Sequence, residues 1–164
     1  MDSVELMNTF SLDRGEVRDE LAARLELPLV DRFRELRTAL RRLAAEVVAD
    51  DRPAALVPMD VAEAVDVVNR ACASVPTWSE LAWASAPTRV SRSAHDGPEN
   101  ALARVAEDAV DLFTGPRGGD LRACHGPGCV LYFLRDHPRR EWCSAGCGNR
   151  ARVARHYQRH HGGD

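Results

Sequence analysis

Four of the five cysteines of this chain lie close together towards its C-terminal end, as two closely spaced pairs. Four residues separate the first pair, three separate the second, and thirteen residues lie between the pairs. The four are Cys124, Cys129, Cys143 and Cys147. Two such pairs are typical of structural zinc sites, because four thiolates complete a tetrahedral coordination shell. The spacing therefore predicts one structural Zn²⁺ per chain, with no coordination position open to water or substrate.

Alternatives to this site involve the same cysteines or nearby histidines. Two disulfides or four unrelated buried thiols are disfavoured, because paired cysteines in a chain without an evident secretion signal more often bind metal. His125 could replace Cys124 as a ligand, although the cysteine set is already complete. His156 and His160, four residues apart, could chelate a surface ion, but a solvated helix end is the simpler interpretation. The fifth cysteine, Cys72, lies in a helical apolar pattern and is expected in the core.

The residues around the cysteines predict the elements that position them. Residues 125–128 contain glycine and proline, which favour a sharp reversal of the backbone around a metal. Residues 130–134 favour a strand and residues 136–138 a turn, so we expect a hairpin that returns to the third cysteine. Ser144 can cap a helix whose first turn contains Cys147, which places free backbone N–H groups near the sulfurs. This order predicts a small treble-clef-like finger made of a β-hairpin and a helix.

The helix predicted after Cys147 has an apolar side and a basic side. At 100° per residue, Arg150 falls in the middle of the apolar side despite its charge. The other members of that side are Val153, Ala154 and Tyr157. The basic side consists of Arg152, Arg155 and Arg159. We expect the apolar side to pack, with Arg150 turned back towards carbonyl groups of the finger, Trp142 or an acidic group.

The basic side of this helix is a candidate surface for nucleic-acid phosphates. Arg139 and Arg140, at the tip of the predicted hairpin, would extend it. The alternative is a solvated face in a chain whose 22 basic residues are all arginine, and the pattern alone does not separate the two.

Net charge divides the chain into an acidic part and a basic part. Residues 1–120 contain 14 arginines against 22 acidic residues, and residues 121–164 contain 8 against 3. The sign changes at residues 115–119, whose glycine and proline content is typical of a linker. We therefore expect a domain boundary there, with a helical domain over residues 1–116 that folds without the finger, and a finger over residues 120–164.

Apolar residues recur at helical spacing in four segments before the cysteines. We expect a short helix over residues 14–25, a long one from residue 29 to about residue 50, a third after Asp60, and a fourth over residues 102–113. Asp60 is expected to cap the third helix. The buried stripe expected on that helix is Val61, Val65, Val68 and Cys72. Residues 76–98 could form a short hairpin or an irregular loop. The pattern predicts a mainly α protein, with a helical bundle-like domain before the finger.

Residues 143–150 read Cys-Ser-Ala-Gly-Cys-Gly-Asn-Arg, which resembles the signature for which the bacterial CGNR zinc fingers are named. The spacing of the first cysteine pair, Phe133, the arginine pair at 139–140 and Trp142 also resemble that family. Glu141 departs from the pattern, because it lies between the arginine pair and Trp142 and dilutes the basic patch. Within the finger we expect structural roles for Trp142, Asn149 and Arg150.

The N-terminal part resembles the ABATE domain that usually precedes this kind of finger. Residues 6–9, Leu-Met-Asn-Thr, resemble the opening Asn-Thr motif of that domain, and residues 34–40 resemble its central helix. The resemblance implies a stress-related transcription regulator in which the finger binds DNA and the helical domain senses a ligand or assembles.

The leading hypothesis is therefore a DNA-binding regulator of the cytoplasm. Its finger alone is small for specific recognition, so we also expect a homodimer, and a small molecule could be the ligand of the N-terminal domain. A zinc-supported protein-interaction module and RNA binding are the alternatives, although aromatic residues make up only 5% of the chain. We do not expect an enzyme, since the sequence shows no phosphate-binding glycine loop and no activated nucleophile. The sequence also has no apolar run of about 18 residues, so we expect no membrane partner.

Overall fold

A computed structural model of the chain describes residues 1–13, 16–24, 29–52, 58–95 and 97–161, and the structural statements below concern these residues. They are about half helical, with small antiparallel sheets. The helices are α1 (Ser3–Met7), α2 (Leu21–Arg24), α3 (Val30–Val47), α4 (Val61–Cys72), α5 (Pro98–Thr114) and α6 (Ala145–His161). The strands are β1 (Phe10–Asp13), β2 (Glu16–Asp19), β3 (Thr77–Trp83), β4 (Pro87–Ser93), β5 (Leu121–Ala123) and β6 (Tyr132–Leu134). Each strand pairs with the next in the chain, as β1 with β2, β3 with β4, and β5 with β6.

The core lies around α3, which packs against α1, α4 and α5. Phe33, Leu36 and Leu40 of α3 are almost fully buried, as their helical spacing predicts. The side chain of Asp60 accepts a hydrogen bond from the backbone N–H of Glu63, which caps α4. The predicted long helix, the capped third helix and the fourth helix are therefore confirmed.

The helix expected over residues 14–25 is confirmed for Leu21–Arg24 and is wrong for residues 16–19. Residues 16–19 form β2, which pairs with β1, and only Leu21–Arg24 are helical; residues 14, 15 and 25 lie outside the described residues. Asp19 accepts hydrogen bonds from the backbone N–H of Leu21 and from Arg37 of α3. These contacts fix the chain direction between the strand and the helix, and so override a weak local preference for helix.

The buried face of α4 differs from the expected stripe. The residues of α4 that are buried are Ala64, Val67, Val68 and Ala71. Val65, which was expected inside, is 41% exposed. The buried face of α4 therefore consists of two alanines and two valines, while Val61 is partly exposed and Val65 lies outside the face.

Residues 76–98 contain a β-hairpin, which was one of the two alternatives. β3 and β4 pair from Thr77 with Ser93 at the base to Trp83 with Pro87 at the tip. The hydroxyl group of Thr77 donates a hydrogen bond to Glu107 of α5, which ties the base of the hairpin to the helical core. Most residues of both strands are exposed.

The open linker expected at residues 115–119 is instead largely structured, because Pro116–Asp120 form a 3₁₀ helix. A Cβ atom on Gly118 would lie 2.7 Å from the carbonyl oxygen of Leu112, so this turn packs tightly on the end of α5. Beyond it, Leu121, Ala123 and Tyr132 belong to the same hydrophobic core as the helices. The division into domains 1–116 and 120–164 stays a prediction. None of the described helices has the length and apolar character needed to cross a membrane.

Candidate metal centre and nucleic-acid interface

The four paired cysteines converge on one point, with their sulfur atoms all within 4.8 Å of one another. The sulfur of Cys143 lies 3.7 Å from that of Cys129 and 3.4 Å from that of Cys147. A tetrahedral zinc with Zn–S bonds of about 2.3 Å requires sulfur pairs about 3.8 Å apart. The donor set and its spacing therefore fit one structural zinc ion, and its coordination shell would be complete.

The first cysteine pair lies on the loop that joins β5 to β6. Cys124 donates its backbone N–H to Leu131 over 2.9 Å, and Cys129 donates to Gly126 over 2.8 Å. Gly128 has φ +70°, a left-handed conformation that suits glycine. A Cβ on Gly126 would lie 2.9 Å from the Cβ of Cys147, so only glycine allows the loop to approach the second pair this closely.

The hairpin of the finger is therefore not the expected one. Residues 130–134 were expected to pair with the chain just before Cys143, but the strand Tyr132–Leu134 pairs with Leu121–Ala123. The cysteine loop is thus the hairpin turn, and a second strand does not form between residues 135 and 144, all of which are described. Burial of Leu121 and Tyr132 in the common core selects this pairing.

The second cysteine pair is positioned by the start of α6. The hydroxyl group of Ser144 accepts a hydrogen bond from the backbone N–H of Cys147, which lies in the first turn of the helix. The sulfur of Cys124 accepts the N–H of Cys143 at 3.4 Å, and the sulfur of Cys147 accepts Nη2 of Arg150 at 3.0 Å. These donors stabilise negative charge on the thiolates that bind a metal.

Of the three residues expected to be structural, Arg150 and Trp142 contact the metal centre, whereas Asn149 is exposed. Besides its contact with Cys147, Arg150 donates Nε to the carbonyl of Pro127 at 3.3 Å and so links α6 to the cysteine loop. Trp142 is partly buried against the cysteine cluster, and a Cβ on Gly148 would lie 3.1 Å from its ring. Asn149 accepts a hydrogen bond from Arg152 through its side-chain oxygen.

Arg140, a candidate phosphate ligand, holds the loop before the third cysteine. Its guanidinium donates to the carbonyls of Trp142 and Cys143 at 3.2 and 3.0 Å and pairs with Asp136 at 2.9 Å. It also lies over the ring of Phe133, 5.1 Å from the centroid. Arg140 therefore has few donors left for a phosphate, whereas its neighbour Arg139 is exposed.

Arg52, in the helical part of the chain, contacts the metal centre and was missed from the sequence. Its Nη1 donates to the carbonyls of Cys124 and Cys129 at 2.6 and 2.7 Å. Asp50, whose side chain is fully buried, pairs with Nη2 at 2.6 Å and accepts the hydroxyl group of Tyr132. Burial acts to raise the pKa of Asp50, but the hydrogen bonds from Arg52 outweigh it and the pKa is lowered. A single arginine in a loop 72 positions before its partner leaves no signal in spacing or periodicity.

Two further side chains join the helical part to the finger. Asn8 accepts the backbone N–H of Tyr132 at 3.0 Å and donates to its carbonyl at 2.7 Å. Arg41, only 3% exposed, donates to the carbonyls of Met7 and Val130. Its guanidinium lies between the rings of Phe10 and Tyr132, at 5.1 and 5.2 Å from their centroids. The Asn-Thr motif at residues 6–9 and the central helix therefore meet the finger directly.

The helix α6 is largely exposed after Ala151, which is the last buried residue among residues 145–160. All the residues from 155 to 160 are exposed, Arg155 and Arg159 among them, and Arg152 is exposed as well. The expected packing of the apolar side is wrong for Val153 and Tyr157, which are 68% and 63% exposed. The rings of His156 and His160 lie 4.4 Å apart, centroid to centroid. This helix carries four arginines and no acidic residue.

Comparison with protein families gives two matches that divide the chain. Residues 121–160 match the model described as "CGNR zinc finger". Residues 3–116 match the ABATE model, described as "Putative stress-induced transcription regulator". A comparison with curated proteins gave no match.

Proposed function

This chain belongs to the ABATE family and carries a CGNR zinc finger after its ABATE domain, and from that premise we propose that it is a transcription regulator that binds DNA through α6. The observation that carries the proposal is that the second half of this helix is exposed, and that the helix contains arginines but no aspartate or glutamate. The arginines of such a helix repel one another, and binding to a polyanion relieves that repulsion.

Charge around α6 supports binding to phosphates despite the formal net charge of −3 for the whole chain. Residues 121–164 contain 8 arginines against 3 acidic residues. Four thiolates on one Zn²⁺ add about −2, which leaves the finger clearly positive. The acidic helical domain would repel DNA, so contact would be confined to the finger.

The shape of α6 fits a groove of duplex DNA. From Arg152 to His161 the helix extends for about 14 Å, at about 1.5 Å per residue. The major groove, about 12 Å wide, admits a helix of this diameter. Arg152, Arg155 and Arg159 would then contact phosphates, and the exposed Tyr157 and Val153 would lie near base edges or sugars. Arg139 would add a further phosphate contact, and Arg140 a weaker one.

We assign control of the finger to the ABATE domain, through ligand sensing or assembly. A cleft of about 650 Å³ between α1, β1 and the finger supports ligand sensing. Three cysteines of the metal centre also line this cleft, so part of its volume belongs to the zinc site. The rest of its walls include Asp2 and Glu5 of the helical part, with Arg140 and Arg150 of the finger. A small polar molecule bound there would contact both parts of the chain, and so could change the position of α6.

DNA binding is tested by fluorescence anisotropy on a mixed-sequence duplex over a range of salt concentrations. Replacing Arg152, Arg155 and Arg159 by alanine should weaken binding to all duplexes and lower the slope of log affinity against log salt by about 2 to 3. The matched control replaces three exposed arginines of the helical domain by alanine. These are Arg32, Arg70 and Arg104.

Both triple variants lose the same net charge, so a local contact affects only the first. Unchanged affinity and slope in the α6 variant would refute the assignment of phosphate contacts to this helix. An equal loss in both variants would show that only total charge matters. Zinc content and the thermal melt should stay those of the wild type in both, because solvated arginines contribute little to stability.

Docking of a partner protein on α6 is the second candidate function, and the exposed Val153 and Tyr157 favour it. The two functions differ in their response to salt. Binding to a protein through these two side chains would change little between low and high salt, whereas binding to DNA would weaken steeply.

A further inference from the structure

The hairpin β3–β4 exposes three large apolar side chains, all on one of its two strands. Trp78, Leu81 and Trp83 of β3 are 52%, 70% and 73% exposed. Within the described residues, β3 and β4 pair only with each other, so both outer edges of this sheet have no strand beside them. A two-stranded hairpin is marginally stable in water, and a further strand against it would stabilise it.

The two edges of the hairpin differ in how they are protected. β4 begins with Pro87, which lacks a backbone donor, and carries Arg89 and Arg92. Proline and charged residues are the usual means by which proteins keep an edge strand from pairing. The only charged residue of β3 is Glu80, which pairs with Arg92 at 2.9 Å and so is already neutralised. β3 is therefore the edge open to another strand.

We propose that β3 pairs antiparallel with β3 of a second copy of this chain, so that two hairpins form one four-stranded sheet across a two-fold axis. Pairing of β3 with itself closes the assembly, because each copy offers the same edge. Pairing of β3 with β4 of another copy would leave free edges and continue into a filament. In the closed sheet the outer strands are both β4, whose proline and arginines stop further growth.

Side-chain alternation supports this arrangement. Leu81 and Trp83 lie two positions apart and therefore point to the same face of the sheet, as do Ser79 and Thr77. A two-fold axis perpendicular to the sheet keeps that face common to both copies. With β3 paired antiparallel about an axis at Glu80, Leu81 lies opposite Ser79 of the second copy and diagonally across from its Leu81. Trp83 lies opposite Thr77 of the second copy, at each end of the interface.

The available area is close to what a stable dimer requires. From their exposed fractions, the three apolar side chains of two copies offer about 900 Å², given that an aromatic side chain buries about 150 to 250 Å². A biological interface usually exceeds about 1,000 Å², and the backbone of the paired strands supplies the remainder. Trp78 lies on the opposite face of the sheet from Leu81 and Trp83, so this area is divided between the two faces, and pairing with a second copy adds neighbours on both.

This inference rests on the assembly role proposed above for the ABATE domain, and it does not require DNA binding. The dimer would contain two α6 helices, which is what a protein that binds two DNA half-sites requires. If the protein dimerises through β3 but fails to bind DNA, the proposed function fails and this inference stands.

Sedimentation velocity of the full-length, zinc-loaded protein tests the proposal. The wild type should shift with concentration from the 18.1 kDa chain to twice that mass. Leu81→Lys with Trp83→Lys should raise the dissociation constant more than about 100-fold, because the substitutions remove the central apolar contacts and bring like charges together. The matched control adds the same two lysines on β4, as Thr88→Lys with Ser91→Lys, and should dimerise as the wild type does.

Hydrogen exchange provides a second measurement that needs no variant. The backbone amides of β3 should gain protection as the wild-type protein is concentrated, and those of α4 should not. A wild type that stays monomeric at 100-fold higher concentration would overturn the proposal, and so would growth into larger oligomers. An unchanged dimer in the Leu81→Lys, Trp83→Lys variant would also overturn it. If Val153→Lys with Tyr157→Lys, on α6, abolished that dimer, the interface would lie on α6 instead of β3.

Discussion

Replacing Arg52 by methionine should weaken the zinc site although Arg52 is not a zinc ligand. The guanidinium fixes two carbonyl groups of the cysteine loop, those of Cys124 and Cys129, and neutralises the fully buried carboxylate of Asp50. Methionine fills a similar volume but donates no hydrogen bond. The loop would lose these two contacts with the helical part, and Asp50 would keep the hydroxyl group of Tyr132 and the backbone N–H of residue 52.

The magnitude follows from the burial of this ion pair. Removing one partner of a buried pair costs about 3 to 5 kcal/mol, because the other charge is left without compensation. The side chain of Arg52 is 18% exposed, so water can partly replace it, and the lower limit of about 3 kcal/mol applies. For a domain of this size, about 2 to 4 °C per kcal/mol corresponds to a fall of about 6 to 12 °C in the melting temperature.

Urea unfolding measures the loss of stability, and the transfer of zinc to a coloured chelator measures the weakening of the zinc site. Arg52→Met should lower the free energy of unfolding and speed the transfer, since the loop opens more often. Arg70→Met is the control, because Arg70 pairs with Glu35 on the surface, where such pairs contribute about 0 to 1 kcal/mol. Asp50→Asn combined with Arg52→Met should recover part of the loss. An Arg52→Met variant as stable as the control, with wild-type zinc transfer, would refute the reasoning.

Three other predictions concern the zinc ligands, the cysteine loop and acid stability. Native mass spectrometry should find one zinc per chain, and Cys143→Ser should lose it and unfold the finger; stoichiometric zinc in that variant would contradict the ligand set. Gly126→Ala should weaken zinc binding because its Cβ would lie 2.9 Å from another side chain, whereas Gly119→Ala, with nothing within 4 Å, should not; equal zinc affinities would argue against a tight loop. The hydrogen bond from Arg37 is the largest cause that lowers the pKa of Asp19, so this carboxylate stabilises the fold above its ordinary pKa of about 4, and the stability is lost as pH falls through the lower folded value. Asp19→Asn should therefore be less stable than the wild type at pH 7 and lose less stability below about pH 4 in acid-unfolding curves; parallel curves would exclude Asp19 as a source of this acid dependence.

The zinc site and the long helices could be predicted because their signals are local. Cysteine spacing reports the chemistry of the site directly, and the apolar repeat of α3 and the cap at Asp60 report helices. The buried face of α4 could not be predicted, because apolar residues lie all around this helix and the packing of α3 and α5 decides which of them are buried. The pairing of β6 was also missed, because the chain that returns to Cys143, rather than residues 121–123, was expected to be its partner.

The sequence also gave no indication that the finger and the helices share a core. Glycine and proline at residues 115–119 suggested separation, but Leu121 and Tyr132 are fully buried against the helical part. Removing the finger would expose that surface and leave Arg41 and Asn8 without their acceptors on the finger. We now expect residues 1–114 alone to lack a cooperative thermal melt, in contrast to the expectation from composition.

The stacking of Arg41 between Phe10 and Tyr132 limits how freely this protein could exchange parts during evolution. Recombination at residues 115–119 would separate Asn8, Arg41 and Arg52 from the finger carbonyls that they bind. A finger taken from another protein would pack on this helical part only if its backbone carbonyls lay where Asn8, Arg41 and Arg52 could donate to them. The two segments are therefore expected to be inherited together, as a matched pair.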